Sequence, residues 1–235
     1  MASIIDTFIA PPCDTPIEIL YQDEALLVIN KPSGLLSLSG KNPQNWDSVH
    51  YRLRQQFAEC ALVHRLDFGT SGLILVGLTK ATTAAISQQF SERSVEKTYH
   101  ALLCGHLAND SGIIDAPIAK DLDNFPLMRI DATAGKPAQS YFEVERRTEY
   151  SLMTGHRLPV TQVKLSPLTG RTHQLRIHCQ HLGYPILGCD LYGGREYSVT
   201  GRHPRLMLHA SAIRFQHPLS GMTLALESLP PFQPC

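Results

Sequence analysis

Apolar runs divide this chain into short segments. Ala25 to Asn30 (Ala-Leu-Leu-Val-Ile-Asn) is a continuous apolar run and reads as a buried strand, ended by Lys31-Pro32-Ser33-Gly34. Leu73 to Leu78 reads the same way, and regular structure is expected to begin at Ile17 to Tyr21. Between them, Val49, Leu53 and Phe57 recur four apart, which predicts a helix over Asp47 to Phe57. Thr79 is placed to cap a second helix running through Ile86 and Phe90. Further on, Thr98 to Cys104 alternates only in part, with Tyr99, Ala101 and Leu103 on one face. Ser140, Phe142 and Val144 alternate as in a half-solvated strand, and Val160 to Leu165 is a further strand. His173 to Leu182 reads as a helix stopped by Gly183 and Pro185. Leu206 to Phe215 and Met222 to Leu226 complete the strands. Residues 105–138 carry Gly105, Gly112, Pro117, Pro126, Gly135 and Pro137 and show the weakest pattern, as expected of an insertion over a substrate face.

Strands outnumber helices and short links join most neighbours. That predicts the α+β class: a mixed, largely antiparallel central sheet flanked by helices and loops. With no internal repeat or long low-complexity linker, a single domain is expected over 17–235, after a loosely ordered, proline-containing leader at 1–16. The 235 residues are 43% hydrophobic, enough for a sizeable core. Charge is balanced, with 21 Lys+Arg against 21 Asp+Glu. Zero net charge counts against RNA binding through a global field, but a local basic face and eleven histidines leave room for it. The six cysteines form no CxxC pair, and residues 1–16 contain Asp6, Pro11, Pro12 and Asp14 rather than a basic start and an apolar run. Reduced thiols in a cytoplasmic protein are therefore expected. No apolar run approaches the length of a membrane span.

The segment His64-Arg65-Leu66-Asp67-Phe68-Gly69-Thr70-Ser71-Gly72 sets an acid beside a base in a glycine-punctuated loop just before a strand. Gly69 and Gly72 allow positive φ or close backbone approach, and Thr70 and Ser71 offer hydroxyls to fix the loop. An aspartate in such a loop is ordinarily a turn former. The whole string, however, resembles the HRLDxxTSG motif of the RluA family of pseudouridine synthases. Leu168-Thr169-Gly170-Arg171-Thr172-His173-Gln174-Leu175-Arg176-Ile177-His178 resembles that family's second motif, TGRxHQLRxH, and Lys97-Thr98-Tyr99-His100-Ala101-Leu102 its KxYxAL strand. Lys31-Pro32-Ser33-Gly34 resembles its KPxG turn, read here as structural support beneath the site. The resemblance runs from about residue 17 to the last strand.

The resemblance implies an RNA-modifying isomerase that detaches uracil from ribose at N1 and reattaches it at C5. Asp67 would be the catalytic carboxylate, attacking the sugar, attacking the base or abstracting a proton. Arg176 would be its counter-charge, and Tyr99 would stack on the flipped uracil and offer a general base. Leu208 would line the base pocket. Arg65 would reach toward the stack that the extruded base vacates. Lys164, Arg171 and His173 are candidate phosphate contacts near the site, as are Arg202 and Arg205. No metal or redox cofactor is expected, since atoms are only rearranged. Only some sixteen residues precede the first expected strand, so the S4 RNA-binding module of many family members is not expected. This short layout implies a 23S ribosomal RNA stem-loop, a tRNA anticodon stem-loop, or both as substrate, with no obligate protein partner and a monomeric enzyme.

Other readings of the same residues are weaker. Asp67-Phe68-Gly69 matches the kinase metal motif, but no glycine-rich ATP loop or His-Arg-Asp loop accompanies it. Gly34 to Lys41 resembles a P-loop with spacing one residue too long and Asn42 in place of Ser or Thr. There is no second carboxylate motif of the aspartic-protease type. His173, His178, Cys179 and His181 invite a zinc reading, yet His173 is off register with His178 for the HExxH pattern. The principal rival is an RNA-binding or RNA-folding protein with this fold and no catalysis.

Overall fold

The computed structural model describes residues 8–151, 157–193 and 205–232. The chain divides into two compact units, Met1–Val95 with Arg214–Ser228, and Glu96–Ile213 with Leu229–Cys235.

In the first unit, β1 (Glu18–Gln22) pairs antiparallel with β2 (Leu26–Lys31), and β2 pairs antiparallel with β4 (Ser71–Gly77). The short β3 (Ala61–Leu62) also lies antiparallel on β4. Every residue of β4 is buried, which accounts for its unbroken apolar run. The β1–β2 turn is tied by Asp23, whose carboxylate accepts from the Ala25 and Leu26 N–H groups at 2.8 and 2.9 Å, from Tyr21 Oη at 2.7 Å, and faces His217 Nε2 at 2.7 Å. The expected first helix is shorter than its periodicity: α1 spans Val49–Arg54. Ser48 starts it by accepting from the Tyr51 N–H at 3.1 Å, while Asp47 pairs with Arg52 at 2.7 Å. Thr79 caps α2 (Lys80–Ser91) in a capping box with Thr82, and Ile86 is the apolar residue α2 buries.

In the second unit, β5 (Glu96–Cys104), β6 (Ser111–Asp115), β9 (Gln139–Ser151), β10 (Arg157–Pro167) and β11 (Leu208–Gln216) lie in the order β11-β5-β10-β9-β6. The β5–β10, β10–β9 and β9–β6 pairs are all antiparallel. From Ala101 to Cys104 both faces of β5 are buried, which is why its alternation is broken. α3 (Gln174–His181) ends as its sequence predicts, with Gly183 at φ +86° just beyond it. The chain leaves the second unit within β11, turns, and forms β12 (Thr223–Glu227).

The weakly patterned stretch 105–138 is not bare of structure. It holds β6 and a separate antiparallel pair, β7 (Ile118–Lys120) with β8 (Met128–Ile130). Ile114, Ala116 and Ile118 belong to the same buried cluster as Leu102, Leu103, Val163 and Leu208. Strands of three to five residues are too short to show a period, and β6 takes its register from β9. Gly112 reads as a breaker in sequence but stands opposite Phe142, where a Cβ would come within 2.9 Å of that ring.

Candidate active site

Asp67 lies in the first unit; Tyr99 and Arg176 lie in the second. The half-buried Asp67 occupies a loop bonded on both sides of it. Leu66 exchanges two bonds with Ser37: its N–H donates to Oγ at 3.1 Å, and its C=O accepts from Oγ at 2.7 Å. The Phe68 C=O accepts from the Gly34 N–H at 2.9 Å and from Lys31 Nζ at 3.2 Å. Ser33 Oγ donates to the Gly69 C=O at 2.7 Å. The loop closes on itself through the Thr70 N–H to the Asp67 C=O at 3.1 Å. Gly72 adopts φ +115°, which a side chain would oppose. The Lys-Pro-Ser-Gly turn thus acts as a clamp on the aspartate loop, and its lysine is fully buried, donating also to the Pro32 and Leu35 carbonyls at 2.9 and 2.7 Å. His64 anchors the start of the loop. Its Nε2 accepts from the Leu75 N–H at 3.0 Å, and its ring lies 4.7 Å from that of Phe90 on α2.

The second motif builds a dense polar centre in the other unit. Gln174 is 4% exposed and uses both ends of its amide. Its Oε1 accepts from Thr169 Oγ1 at 2.7 Å and from the Arg171 N–H at 3.0 Å. Its Nε2 donates to the Gln139 C=O and to Ser140 Oγ, both at 2.9 Å. The Ala116 C=O can only accept, so His178 Nε2–H donates to it at 3.0 Å, and Nδ1 of the neutral ring accepts from Ser140 Oγ at 3.0 Å. Burial pushes the His178 pKa down, against the opposing pull of the Ala116 carbonyl, so the ring is neutral. Both His178 nitrogens are thus engaged within the protein, the role of a core histidine.

Arg176 is 4% exposed on α3. Its Nη2 pairs with Asp190, its Nε and Nη2 approach Cys189 Sγ at 3.4 Å, and its Cζ lies 5.5 Å from the centre of the Tyr192 ring. The Tyr192 hydroxyl accepts from the Met128 N–H at 2.9 Å and also lies within hydrogen-bond distance of His173 Nδ1, at 2.9 Å. His173 itself sits in the left-handed region, φ 56°, at the head of α3. Asp190 and Tyr192 were not among the residues the sequence singled out. Their signal is faint: an acid and a phenol in a glycine-flanked run, Gly188-Cys-Asp-Leu-Tyr-Gly193, fourteen and sixteen residues beyond the arginine they meet.

Tyr99 is half-buried on β5 opposite Leu165 and packs against the buried cluster that contains Leu208. Leu208 is 3% exposed at the start of β11. Among the candidate RNA contacts, Arg65 is exposed. Lys164 is partly committed to Glu145 at 3.3 Å. Glu145 is held below the ordinary carboxylate range: burial opposes this, but the His100 and Lys164 charges and bonds from Lys164 and Gln162 prevail. Arg171 donates from Nε to the Pro137 C=O at 3.1 Å. Arg205 lies over the Phe232 ring at 5.5 Å. Arg202 lies outside the described residues.

The fold is of the α+β class, largely antiparallel with few helices. Residues 25–181 match the family model described as RNA pseudouridylate synthase, and the chain belongs to that family. It is an isomerase that makes pseudouridine in RNA. It is 42% identical to a Haemophilus influenzae protein named dual-specificity RNA pseudouridine synthase RluA, over 93% of this chain and 95% of that one. A Yersinia pestis protein of the same name is 45% identical over 86% and 94%. Among solved structures, human RNA pseudouridylate synthase domain containing 1 superposes with a TM-score of 0.75 at 33% identity, covering 95% of this chain and 87% of that one. Its domain-containing-4 counterpart gives 0.68 at 25%, covering 91% and 88%.

Proposed function

We propose that this chain isomerises particular uridines in a 23S rRNA stem-loop, a tRNA anticodon stem-loop, or both, with Asp67 as the catalytic carboxylate. The N1–C1′ bond breaks and a C5–C1′ bond forms; C5 gives up a proton and N1 takes one. Tyr99 stacks on the extruded uracil and serves as the base for the C5 proton. Arg176 supplies positive charge to keep the carboxylate ionised. Arg65 fills the vacated stack, Leu208 lines the base pocket, and Lys164, Arg171 and His173 meet phosphates. The observation that carries the Asp67 assignment is the clamp: the residues on both sides of it are bonded to the Lys31–Ser37 segment, the rigidity a catalytic carboxylate requires. Support for the two RNA classes comes from the dual-specificity name of relatives that match nearly end to end.

The family match crosses the boundary between the two units, which supports reading 17–235 as one catalytic domain. The described cysteines are all free thiols, in keeping with a cytoplasmic setting, and no described helix is long and apolar enough to cross a membrane. We read the enzyme as a monomer needing no protein partner. Mapping pseudouridines in ribosomal and transfer RNA from a deletion strain against its parent tests the substrate assignment; an unchanged map overturns it. Asp67→Asn should abolish turnover while the protein still folds and binds RNA. Normal turnover in that variant would refute the assignment and favour the rival in which the fold only binds RNA.

A further inference from the structure

We infer that residues 8–16 form a strap that positions the Asp67 loop, with Phe8 acting through Phe68; this rests on the reading of Asp67 as the catalytic carboxylate. The segment has no helix or strand, yet side chains of the same unit fasten its backbone at both ends. Asn45, 3% exposed, contacts the backbone on either side of Ile9: its Oδ1 accepts from the Ala10 N–H at 2.8 Å, and its Nδ2 donates to the Phe8 C=O at 2.8 Å. Asn45 is itself fixed by backbone bonds, its N–H to the Asn42 C=O at 2.9 Å and its C=O from the Gly40 N–H at 2.8 Å. Farther along, the Arg52 guanidinium donates to the Thr15 C=O at 2.8 Å and to the Cys13 C=O, while Asp47 holds its other edge at 2.7 Å. Between the two anchors lie Pro11 and Pro12, whose fixed φ stiffens the span.

The strap ends on the catalytic loop. The Phe8 ring meets the Phe68 ring edge-on at 5.3 Å between centres. Phe68 directly follows Asp67, and its C=O is the acceptor for Lys31 and Gly34. Its backbone is therefore held by the clamp while its ring is held by the strap. Together they hold the backbone just after Asp67, which fixes the direction in which its side chain leaves the loop. Phe8 remains 46% exposed, so it is a poor contributor to the core. Its removal should disturb the loop far more than the fold, and that separates positioning from general stability.

The test uses the full chain and an RNA that the wild-type protein modifies. Phe8→Ala and Asn45→Ala should each lower the single-turnover rate by about tenfold, as expected for a small misplacement of a reacting group. RNA affinity should be unchanged, and Phe8→Leu should recover most of the rate. If Phe8→Ala also lowers the melting temperature, Phe8→Leu and Asn45→Ala at native melting temperature decide. Rates within twofold of wild type in both alanine variants would overturn the strap. So would weaker RNA binding at an unchanged rate, which would make Phe8 an RNA contact. Asp67→Asn, measured alongside, separates the two failures. If it is inactive while Phe8→Ala is normal, only the strap falls; if it turns over normally, the catalytic reading falls and the strap with it.

Discussion

Burying an ammonium group is costly unless its protons are all met, and Lys31 meets this demand with the Pro32, Leu35 and Phe68 carbonyls rather than with solvent. This lysine does two things at once: it neutralises the dipoles of a tight turn, and it fastens that turn to the residue after Asp67. Lys31→Met keeps the volume of the stem but removes the ammonium donor from the Pro32 and Leu35 carbonyls, while the Phe68 carbonyl keeps the Gly34 N–H. It should lower stability by about 3 kcal/mol, read by urea denaturation, and reduce turnover in the fraction that stays folded. Unchanged stability would mean that water replaces the ammonium group and that the clamp does not depend on it. Arg176 shows the same economy of position. Its guanidinium is buried among Cys189, Asp190 and Tyr192, contacts that depend on a turn more than a dozen residues away.

At the scale of elements, α3 is held by polar bonds as much as by apolar packing. Gln174 joins the Thr169–Arg171 loop to β9, and His178 joins the same helix to Ala116 beyond β6. Gln174→Leu is nearly isosteric but removes two donors and an acceptor used by four partners. It should cost about 2–4 kcal/mol in chemical denaturation and displace Arg176 two residues on; a loss below about 0.5 kcal/mol would show the hub to be dispensable. In sequence, this helix was visible from its glycine stop. Its function as a polar joint was not, because Gln139, Ser140 and Ala116 lie far upstream in segments whose pairing is set by the sheet.

For the molecule as a whole, two buried or half-buried groups, His178 and Asp23, contribute in separate ranges to the response to acid. His178 has a folded pKa below its ordinary 6.5, so as pH falls through that value the unfolded chain takes up a proton that the native chain does not. Stability should therefore decline below about pH 6.5, and His178→Gln should flatten that limb in urea titrations taken across this range. Asp23 is lowered from 3.8 to about 2; burial opposes the shift, but the bonds from Tyr21, Leu26, Ala25 and His217 outweigh it. Its contribution is complete above pH 3.8 and is lost as pH falls toward 2, so Asp23→Asn should remove the lower limb and leave the upper one. Association with RNA belongs to the same scale. Although the net charge is zero, affinity should fall with salt, and Arg171→Ala should reduce the slope of log K against log salt by about 1. A salt-insensitive complex would exclude binding led by phosphates.

The sequence by itself determined the strands with long apolar runs, the Thr79 cap, the Gly183 stop and the membership of Asp67, Tyr99 and Arg176 in family motifs. These are local signals, carried by neighbouring residues and by backbone preferences that need no partner. Tertiary structure alone decided that 105–138 would supply strands, that Lys31 would clamp the Asp67 loop, that residues 8–16 would be fastened by Asn45 and Arg52, and that Asp190 and Tyr192 would surround Arg176. Each of these rests on a hydrogen bond, ion pair or ring contact between residues distant in the chain. Such contacts form only when the fold brings together residues that the chain keeps apart, so no local pattern records them.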